Sequence, residues 1–230
     1  MSNLDLLNLK FKNTFNLSKM AISYIENLTL SKEIEVFLEV PEGASDGDVG
    51  WAIVEERKVY IRPTDDLETF EIRLVHELTH ISNHDEGYPD LLCRYDDDLG
   101  STFGNLLHHF IIYNKMKEYG FSMKMDTELV MKNLEEKLQW FSDLYSENNQ
   151  DAKAYIVMVV MNDLIRLEDE EEIKYRSLAN IYIPECINKA DDIITDILPN
   201  NTILLNIEWY KKCKEVIEEK LGIEKFNFSH

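Results

Sequence analysis

The sequence predicts an α+β protein that is mostly helical and carries a small three-stranded sheet near its N-terminus. Apolar and polar residues alternate over 33–40, which is typical of a strand. Two further apolar segments, 51–56 and 59–63, are separated by two basic residues and predict a β-hairpin that completes the sheet. From residue 101 onward, apolar residues recur at helical spacing, so the rest of the chain is expected to be helical.

The length of 230 residues suits one large domain or two small ones. We expect residues 1–122 to form a core that holds the sheet and two helices. Residues 123–230 are expected to form a helical C-terminal extension packed on that core, unless the whole chain is one domain. The extension is expected to cover part of the core and to restrict access to it.

Two segments next to the predicted sheet have simple interpretations. Residues 4–30 have apolar residues at helical spacing and predict one or two helices. The loop 41–50 is rich in glycine and aspartate, but its three glycines do not fit a phosphate-binding spacing. Its aspartates, Asp46 and Asp48, do not make a calcium loop by themselves. We interpret 41–50 as a hairpin connection.

A long helix is predicted directly after the sheet. Thr64 or Asp65 can cap its start, and Asn83 can end it. One side of the helix is apolar and is expected to face the core; its residues are Leu67, Phe70, Leu74, Leu78 and Ile81. The preceding segment, 59–63, is expected to run beside this helix as an edge strand that can pair with an extended peptide.

More helices are predicted after this one. A second helix is expected over 101–118, and Gly120 is expected to stop it. Helical spacing then predicts the helices 126–146, 150–167, 171–181, 185–198 and 203–221.

The net charge of −20 argues against two classes of function. Such an acidic surface repels the phosphate backbone of nucleic acids and anionic lipid headgroups, so neither is expected as a partner. The longest apolar run, 155–161, is far shorter than the roughly 20 residues that a membrane span needs. The acidic run 168–172 is interpreted as a solvated helix end.

The cysteines and the N-terminus indicate a reducing compartment. The three cysteines include no CxxC pair, so neither a disulfide framework nor a zinc knuckle is expected. The N-terminal segment contains Asp5 and has no continuous apolar core, which is unlike a signal peptide. We therefore expect a cytoplasmic protein.

The segment LVHELTHIS, residues 74–82, predicts a metal site. On a helix, His76 and His80 lie one turn apart on the same face, so both imidazoles can reach one ion. A catalytic Zn²⁺ needs three protein ligands and a water in the fourth position. The metal lowers the pKa of that water toward about 7, and Glu77 can take its proton as it attacks a carbonyl. The pattern also occurs by chance on surface helices, but the capped helix and its apolar far face favour the metal site.

The motif HELTH, on a helix that follows a small sheet, resembles the zincin metallopeptidases. The segments HELTHISNHDEGYPD and NLLHHFIIYNKMKEYGF are similar to small intracellular zincins of the ImmA/IrrE kind, and the resemblance covers roughly 50–121. It implies a zincin-like, metal-binding core and a zinc-dependent peptidase that acts on a peptide or protein. Residues 123–230 carry no resemblance that we can name.

Several residues are candidates for the third metal ligand. His109 is favoured because it lies beside the core stripe of its helix, which consists of Phe103, Leu106, Leu107 and Phe110. His108 is expected on the solvent face. Glu86 is a rival because it follows His80 by the offset at which metzincins place their third ligand, although that ligand is usually histidine. His84 and the acidic residues 96–98 are further candidates.

Four residues could stabilise an oxyanion, and their sequence positions do not rank them. They are Tyr88, Arg94, Tyr95 and Tyr113.

Three functions remain open at this point. The first is a zinc-dependent metallohydrolase, an intracellular peptidase in which Glu77 activates the metal-bound water and His76, His80 and His109 hold Zn²⁺. The second is a non-catalytic, acidic helical interaction protein in which the metal only stabilises the fold. The third is a metal-dependent hydrolase of a non-peptide amide. The sequence does not predict an oligomeric state.

Overall fold

The computed structural model describes residues 2–10, 16–43, 49–92, 98–146, 149–198, 206–223 and 226–228. In these residues the chain is α+β and mostly helical, which confirms the predicted fold class at that level. It divides into two compact units. The first is Met1–Tyr88 with Asn114–Ser122, and the second is Pro89–Tyr113 with Met123–His230. The sequence placed the segment 89–113 with the N-terminal core.

The sheet of the first unit has four strands in the described residues, where three were predicted. They are β1 (Leu7–Leu9), β2 (Ile34–Phe37), β3 (Gly50–Ile53) and β4 (Lys58–Ile61), in the order β1-β2-β4-β3. β1 pairs in parallel with β2, and β2 in parallel with β4. The prediction of helix over 4–30 was therefore wrong for β1, because this strand is too short to show a period of its own and forms through pairing with β2.

The predicted hairpin is confirmed, since β3 and β4 pair antiparallel with Trp51 opposite Tyr60. The prediction that 59–63 forms the edge strand was wrong. β4 is an inner strand, flanked by β2 and β3, and in the described residues the edge strands are β1 and β3. The parallel pairing of β2 with β4 places β4 inside the sheet, and such long-range pairing is not encoded in the local pattern of the strand.

Helix α1 (Lys19–Glu26) is fixed to the second helix of the first unit by its N-terminus. Ser18 caps α1 by accepting a hydrogen bond from the Ala21 backbone N–H. The Ser18 hydroxyl donates to Glu71 Oε2 at 2.8 Å, and the Ser18 backbone N–H donates to Glu71 Oε1. The buried Glu71 carboxylate is thus satisfied by the start of α1.

Helix α2 (Leu67–Asp85) is the predicted long helix, but it begins and ends about two residues later than predicted. Asp66, and not Thr64 or Asp65, is its N-cap, and its carboxylate accepts from the Thr69 backbone N–H at 2.7 Å. The helix continues past Asn83, which was expected to end it. The left-handed residue after α2 is Gly87, with φ of 87°, and a glycine adopts this conformation without a steric penalty.

An ion pair connects the hairpin turn to the end of α2. The Arg57 guanidinium donates to both oxygens of Asp85, at 2.9 and 3.0 Å, and the Ser31 backbone N–H donates to the same carboxylate at 2.8 Å. Burial alone would raise the pKa of Asp85, but these bonds outweigh it and hold that pKa below its ordinary value. The pair therefore fixes the C-terminal end of α2 to the β3–β4 turn.

The second unit is built from helices. Helix α3 (Asp98–Glu118) starts three residues earlier than predicted and ends before Gly120, which has φ of 86°. Its residues up to Tyr113 belong to the second unit, and its last turn belongs to the first. The other helices are α4 (Lys124–Met131), α5 (Leu134–Ser146), α6 (Gln150–Leu164), α7 (Asp169–Tyr182), α8 (Pro184–Ile197) and α9 (Ile207–Leu221).

Two features of the second unit depart from the predicted helices. The helix expected over 126–146 is broken between α4 and α5, where Asn133 has φ of 52°. Two short strands, β5 (Leu91–Leu92) and β6 (Asn227–Phe228), pair antiparallel and were not predicted. Over the part of the chain that the structure describes, no helix has both the length and the hydropathy that a membrane crossing requires.

Candidate metal centre

Helix α2 presents the two histidines of HELTH side by side. His76 and His80 are both half-buried, and their ring centroids are 5.2 Å apart. On the apolar side of the helix, Phe70, Leu74, Leu78 and Ile81 are buried, and Leu67 is half-buried. The core thus fixes the orientation of α2, and the histidine face is left to form one wall of a site.

Glu77 lies against the edge strand of the sheet. Its side chain is buried, with 7% relative exposure. A Cβ atom added to Gly50 of β3 would lie 2.7 Å from Glu77 Oε1, closer than real Cβ atoms lie, and 3.0 Å from Glu77 Cγ, which is tighter than most real contacts. A side chain at position 50 would therefore force the Glu77 carboxylate to move. The sequence interpretation missed this role, because Gly50 was assigned to the hairpin connection; a lone glycine at the start of a strand was the available signal.

Replacing Gly50 with alanine is expected to displace the Glu77 carboxylate without removing its charge. A misplacement of about 1 Å can cost roughly 100-fold in rate, so under the predicted metallohydrolase function we expect turnover to fall on the order of 10- to 100-fold. Metal content should be unchanged, because neither histidine of α2 is touched. Steady-state kinetics and elemental analysis of the purified variant measure both quantities.

Gly104→Ala is the matched control for this substitution. No atom lies within 4 Å of a Cβ added at Gly104, inside helix α3. This variant should keep its turnover and gain roughly 0.5–1 kcal/mol of stability, since glycine weakens a helix interior. Equal turnover in the Gly50 and Gly104 variants would show that the contact with Glu77 has no catalytic importance.

His109 lies on α3, and the last turn of this continuous helix is attached to α2. Lys115 donates to Asn83 Oδ1 and to Glu86 Oε1, each at 3.4 Å. His109 is buried, with 8% exposure. The potential ligand atoms of His76, His80 and His109 all lie within 4.8 Å of one another, and among the described residues no other group of three or more potential ligands is found. These three are the ligands predicted from the sequence.

The chemistry of this donor set fits zinc. Zn²⁺ binds histidine nitrogen at about 2.0–2.1 Å, so nitrogens around a tetrahedral ion lie roughly 3.4 Å apart. The potential ligand atoms lie within 4.8 Å of one another, which is wider than this spacing, so the three side chains would have to move closer together around an ion. Three protein ligands leave a fourth position for water or substrate.

The side chains of Asn162 and Arg166 lie next to His109 in the second unit. His109 Nδ1 lies 2.9 Å from Asn162 Oδ1 and 3.5 Å from Arg166 Nη2. The Arg166 guanidinium also stacks on the Tyr113 ring, 5.5 Å from its centroid. Burial lowers the pKa of Arg166, but the Tyr113, Asp126 and Asp163 side chains outweigh it and raise that pKa above its ordinary value. Arg166 is therefore a permanent cation beside His109.

His108 is directed to a different part of the second unit. The prediction that it faces solvent was wrong, since it is 7% exposed. His108 Nε2 lies 3.1 Å from Asp90 Oδ1 and 3.2 Å from the Tyr210 hydroxyl, which itself donates to the Pro89 carbonyl at 2.9 Å. Helix α9, which carries Tyr210, covers this side of α3, and the sequence of α3 alone could not indicate that cover.

The other candidate ligands lie outside the histidine cluster. Glu86 accepts from Lys115 and from the Ser82 hydroxyl, the latter at 3.2 Å. His84 belongs to the last turn of α2, although it was expected to follow the helix, and it is exposed beside Asp85. Asp98 is exposed at the start of α3, and residues 96 and 97 lie outside the described residues.

Two of the predicted oxyanion-stabilising residues can be located. Burial raises the pKa of Tyr88 to about 12. The Tyr113 hydroxyl donates to Asp126 Oδ1 at 3.2 Å, which commits its proton to a buried carboxylate. Arg94 and Tyr95 lie outside the described residues.

Comparisons with known proteins do not extend the resemblance that the sequence motif carries. Comparisons of the chain with protein-family models, with curated proteins and with solved structures find no match. The resemblance to the zincins therefore rests on the HELTH motif and on the residues around it, and it stays a prediction.

Proposed function

We propose that the protein is a zinc-dependent metallopeptidase that acts on peptides or proteins in the cytoplasm. His76, His80 and His109 hold the metal, and Glu77 is the general base. One observation carries the proposal: the potential ligand atoms of these three histidines lie within 4.8 Å of one another. The two α2 histidines alone follow from helical spacing, but a third imidazole from another helix at this distance does not.

The chemistry assigns a separate task to each side chain. A bound Zn²⁺ polarises the scissile carbonyl and makes water acidic enough to be deprotonated at neutral pH. Glu77 follows His76 directly in the helix, and its carboxylate accepts the proton of the attacking water and delivers it to the leaving amine. Burial of Glu77 against Gly50 restricts the carboxylate to few positions, which favours proton transfer along one path.

The edge strand of the first unit supports a peptide substrate. β3 pairs with β4 on one side only and is the last strand of the sheet in the described residues. An extended peptide can add to such an edge through backbone hydrogen bonds. Because Gly50 begins β3 and lies against Glu77, a peptide paired with β3 passes close to the general base.

The cytoplasmic location has one structural support. Cys186 and Cys213 are buried as free thiols, and burial raises the pKa of Cys186 to about 12. Neither thiol is paired or reactive, which is typical of proteins from a reducing compartment.

A non-catalytic interaction protein is the second candidate, and it is favoured by exposed apolar residues on α5 and α7. Trp140, Ile173 and Ile181 are 53, 67 and 72% exposed. Large apolar side chains at such exposure are typical of surfaces that bind another protein. In this case the three histidines would hold a structural ion, and Glu77 would not be needed for function.

Metal content tests the metallopeptidase proposal most directly. Protein purified without a histidine tag or chelator is expected to contain one Zn²⁺ per chain by elemental analysis. His76→Ala and His80→Ala should each lose it, because two remaining ligands bind zinc weakly. His84→Ala, on the same helix but exposed and outside the cluster, is the matched control and should keep the ion. Wild-type protein without stoichiometric metal would refute the proposal.

A further inference from the structure

Asn162 of α6 makes the shorter of two competing contacts with His109. Asn162 Oδ1 lies 2.9 Å from His109 Nδ1, whereas Arg166 Nη2 lies 3.5 Å from the same nitrogen. A distance of 2.9 Å is the most common N–H···O length in proteins, and 3.5 Å is at the outer limit of a hydrogen bond. The asparagine contact is therefore the stronger one.

The two contacts require opposite tautomers of the imidazole. A neutral histidine carries one ring proton, and the other nitrogen keeps the lone pair that binds a metal. If Nδ1–H donates to Asn162 Oδ1, Nε2 carries the lone pair and is the ligand atom. If Arg166 donates to Nδ1 instead, the proton sits on Nε2, and this nitrogen cannot bind an ion. The distances favour the first arrangement.

We propose that Asn162 is a positioning residue that holds His109 in the Nδ1-protonated tautomer and presents its Nε2 atom to the metal. The inference rests on the proposed function for the role of the metal, but the tautomer itself is a property of the metal-free protein. It assigns the C-terminal helical region a part in the site: α6 supplies the hydrogen bond that makes the third ligand usable.

The neighbours of Asn162 keep this contact in place. Asp163, the next residue, is buried and accepts from Lys137 Nζ at 2.6 Å and from the Tyr175 hydroxyl at 2.9 Å, which fixes the end of α6 to α5 and α7. The Arg166 carbonyl, just after α6, accepts from the Thr127 hydroxyl at 3.0 Å. The chain on both sides of Asn162 is thus held by polar contacts that do not involve His109.

Nuclear magnetic resonance of the metal-free protein tests the tautomer. The ¹⁵N shifts of the His109 ring, recorded at a pH where the ring is neutral, report which nitrogen carries the proton. In wild-type protein and in Asn162→Asp, which keeps the acceptor oxygen, we expect the proton on Nδ1. In Asn162→Ala we expect the population with the proton on Nε2 to grow several-fold. The inference would be overturned if the wild-type His109 ring is protonated on Nε2, or if its tautomer populations are the same in Asn162→Ala as in the wild type.

Metal affinity provides the second measurement, made by competition with a chromophoric chelator. Loss of such an outer hydrogen bond commonly weakens metal binding 10- to 100-fold, and we expect this range for Asn162→Ala. Asn162→Asp should bind within a few-fold of wild type. Asn180→Ala is the matched control, because Asn180 is exposed on α7 and bonds only its own helix, to the Arg176 carbonyl. Circular dichroism confirms that each variant is folded before its affinity is measured.

The outcomes separate this inference from the proposed function. Wild-type zinc binding with unchanged affinity in Asn162→Ala would overturn the positioning role and leave the metallopeptidase proposal intact. Absence of zinc binding in every form, with the tautomer still dependent on Asn162, would refute the metal site and support the hydrogen bond that we assign.

Discussion

Glu77→Gln is expected to abolish peptide hydrolysis while leaving one zinc ion bound per chain. Glutamine has nearly the shape of glutamate and fits the space beside Gly50, but its amide cannot accept the proton of the attacking water. General-base catalysis contributes about 10²- to 10⁴-fold, so turnover should fall by at least roughly 100-fold. Hydrolysis of a fluorogenic peptide library, followed by elemental analysis of the same samples, measures both effects.

Glu68→Gln is the control for this substitution. Glu68 lies in the first turn of the same helix and is exposed, and the change also removes one negative charge. It should leave turnover within about two-fold of wild type, because exposed charges interact weakly. Unchanged turnover in Glu77→Gln would show that Glu77 is not the base. Equal partner binding by the wild type and by Glu77→Gln would favour the interaction function.

His109→Ala is expected to remove the metal and, with it, all hydrolysis. Structural zinc sites bind with about 10–16 kcal/mol shared among four ligands, so one lost ligand weakens binding by on the order of 100-fold or more. The loss should exceed that of Asn162→Ala, because the alanine at position 109 removes the ligand and not merely its orientation. Isothermal titration with Zn²⁺ measures the difference directly.

His108→Ala and Glu86→Ala are the informative controls for the third ligand. His108 is bonded to Asp90 and Tyr210, and Glu86 to Lys115 and Ser82, so neither substitution removes a member of the histidine cluster. Both variants should retain one zinc ion. Metal loss in Glu86→Ala together with retention in His109→Ala would contradict the assignment and would place Glu86 in the site instead.

The features that could be predicted from the sequence are those that depend on residues close together in the chain. The helical spacing of His76 and His80 follows from the sequence alone, as does the end of α3 before Gly120. The same is true of the β3–β4 hairpin, whose strands are neighbours in the chain. Each of these features depends on residues only a few positions apart.

The features that sequence reasoning missed depend on distant parts of the chain. His108 is covered by Tyr210, 102 positions away, so no pattern within α3 reveals its burial. β1 becomes a strand by pairing with β2, and the pairing of β2 with β4 makes β4 an inner strand. The contact of His109 with Asn162 joins residues 53 positions apart, and a polar residue on an apolar helix gave only a faint signal of it.

The tight fit of the Glu77 carboxylate against the β3 backbone has a consequence for recognising similar proteins. A five-letter motif such as HELTH recurs by accident in unrelated chains, so a search with it alone returns many false positives. A glycine at the position of Gly50, where a Cβ atom would crowd the carboxylate, is a second and independent feature of the same packing. A query that demands both, with a strand–turn–strand between them, discards accidental matches and retains chains in which a carboxylate can be seated in the same way.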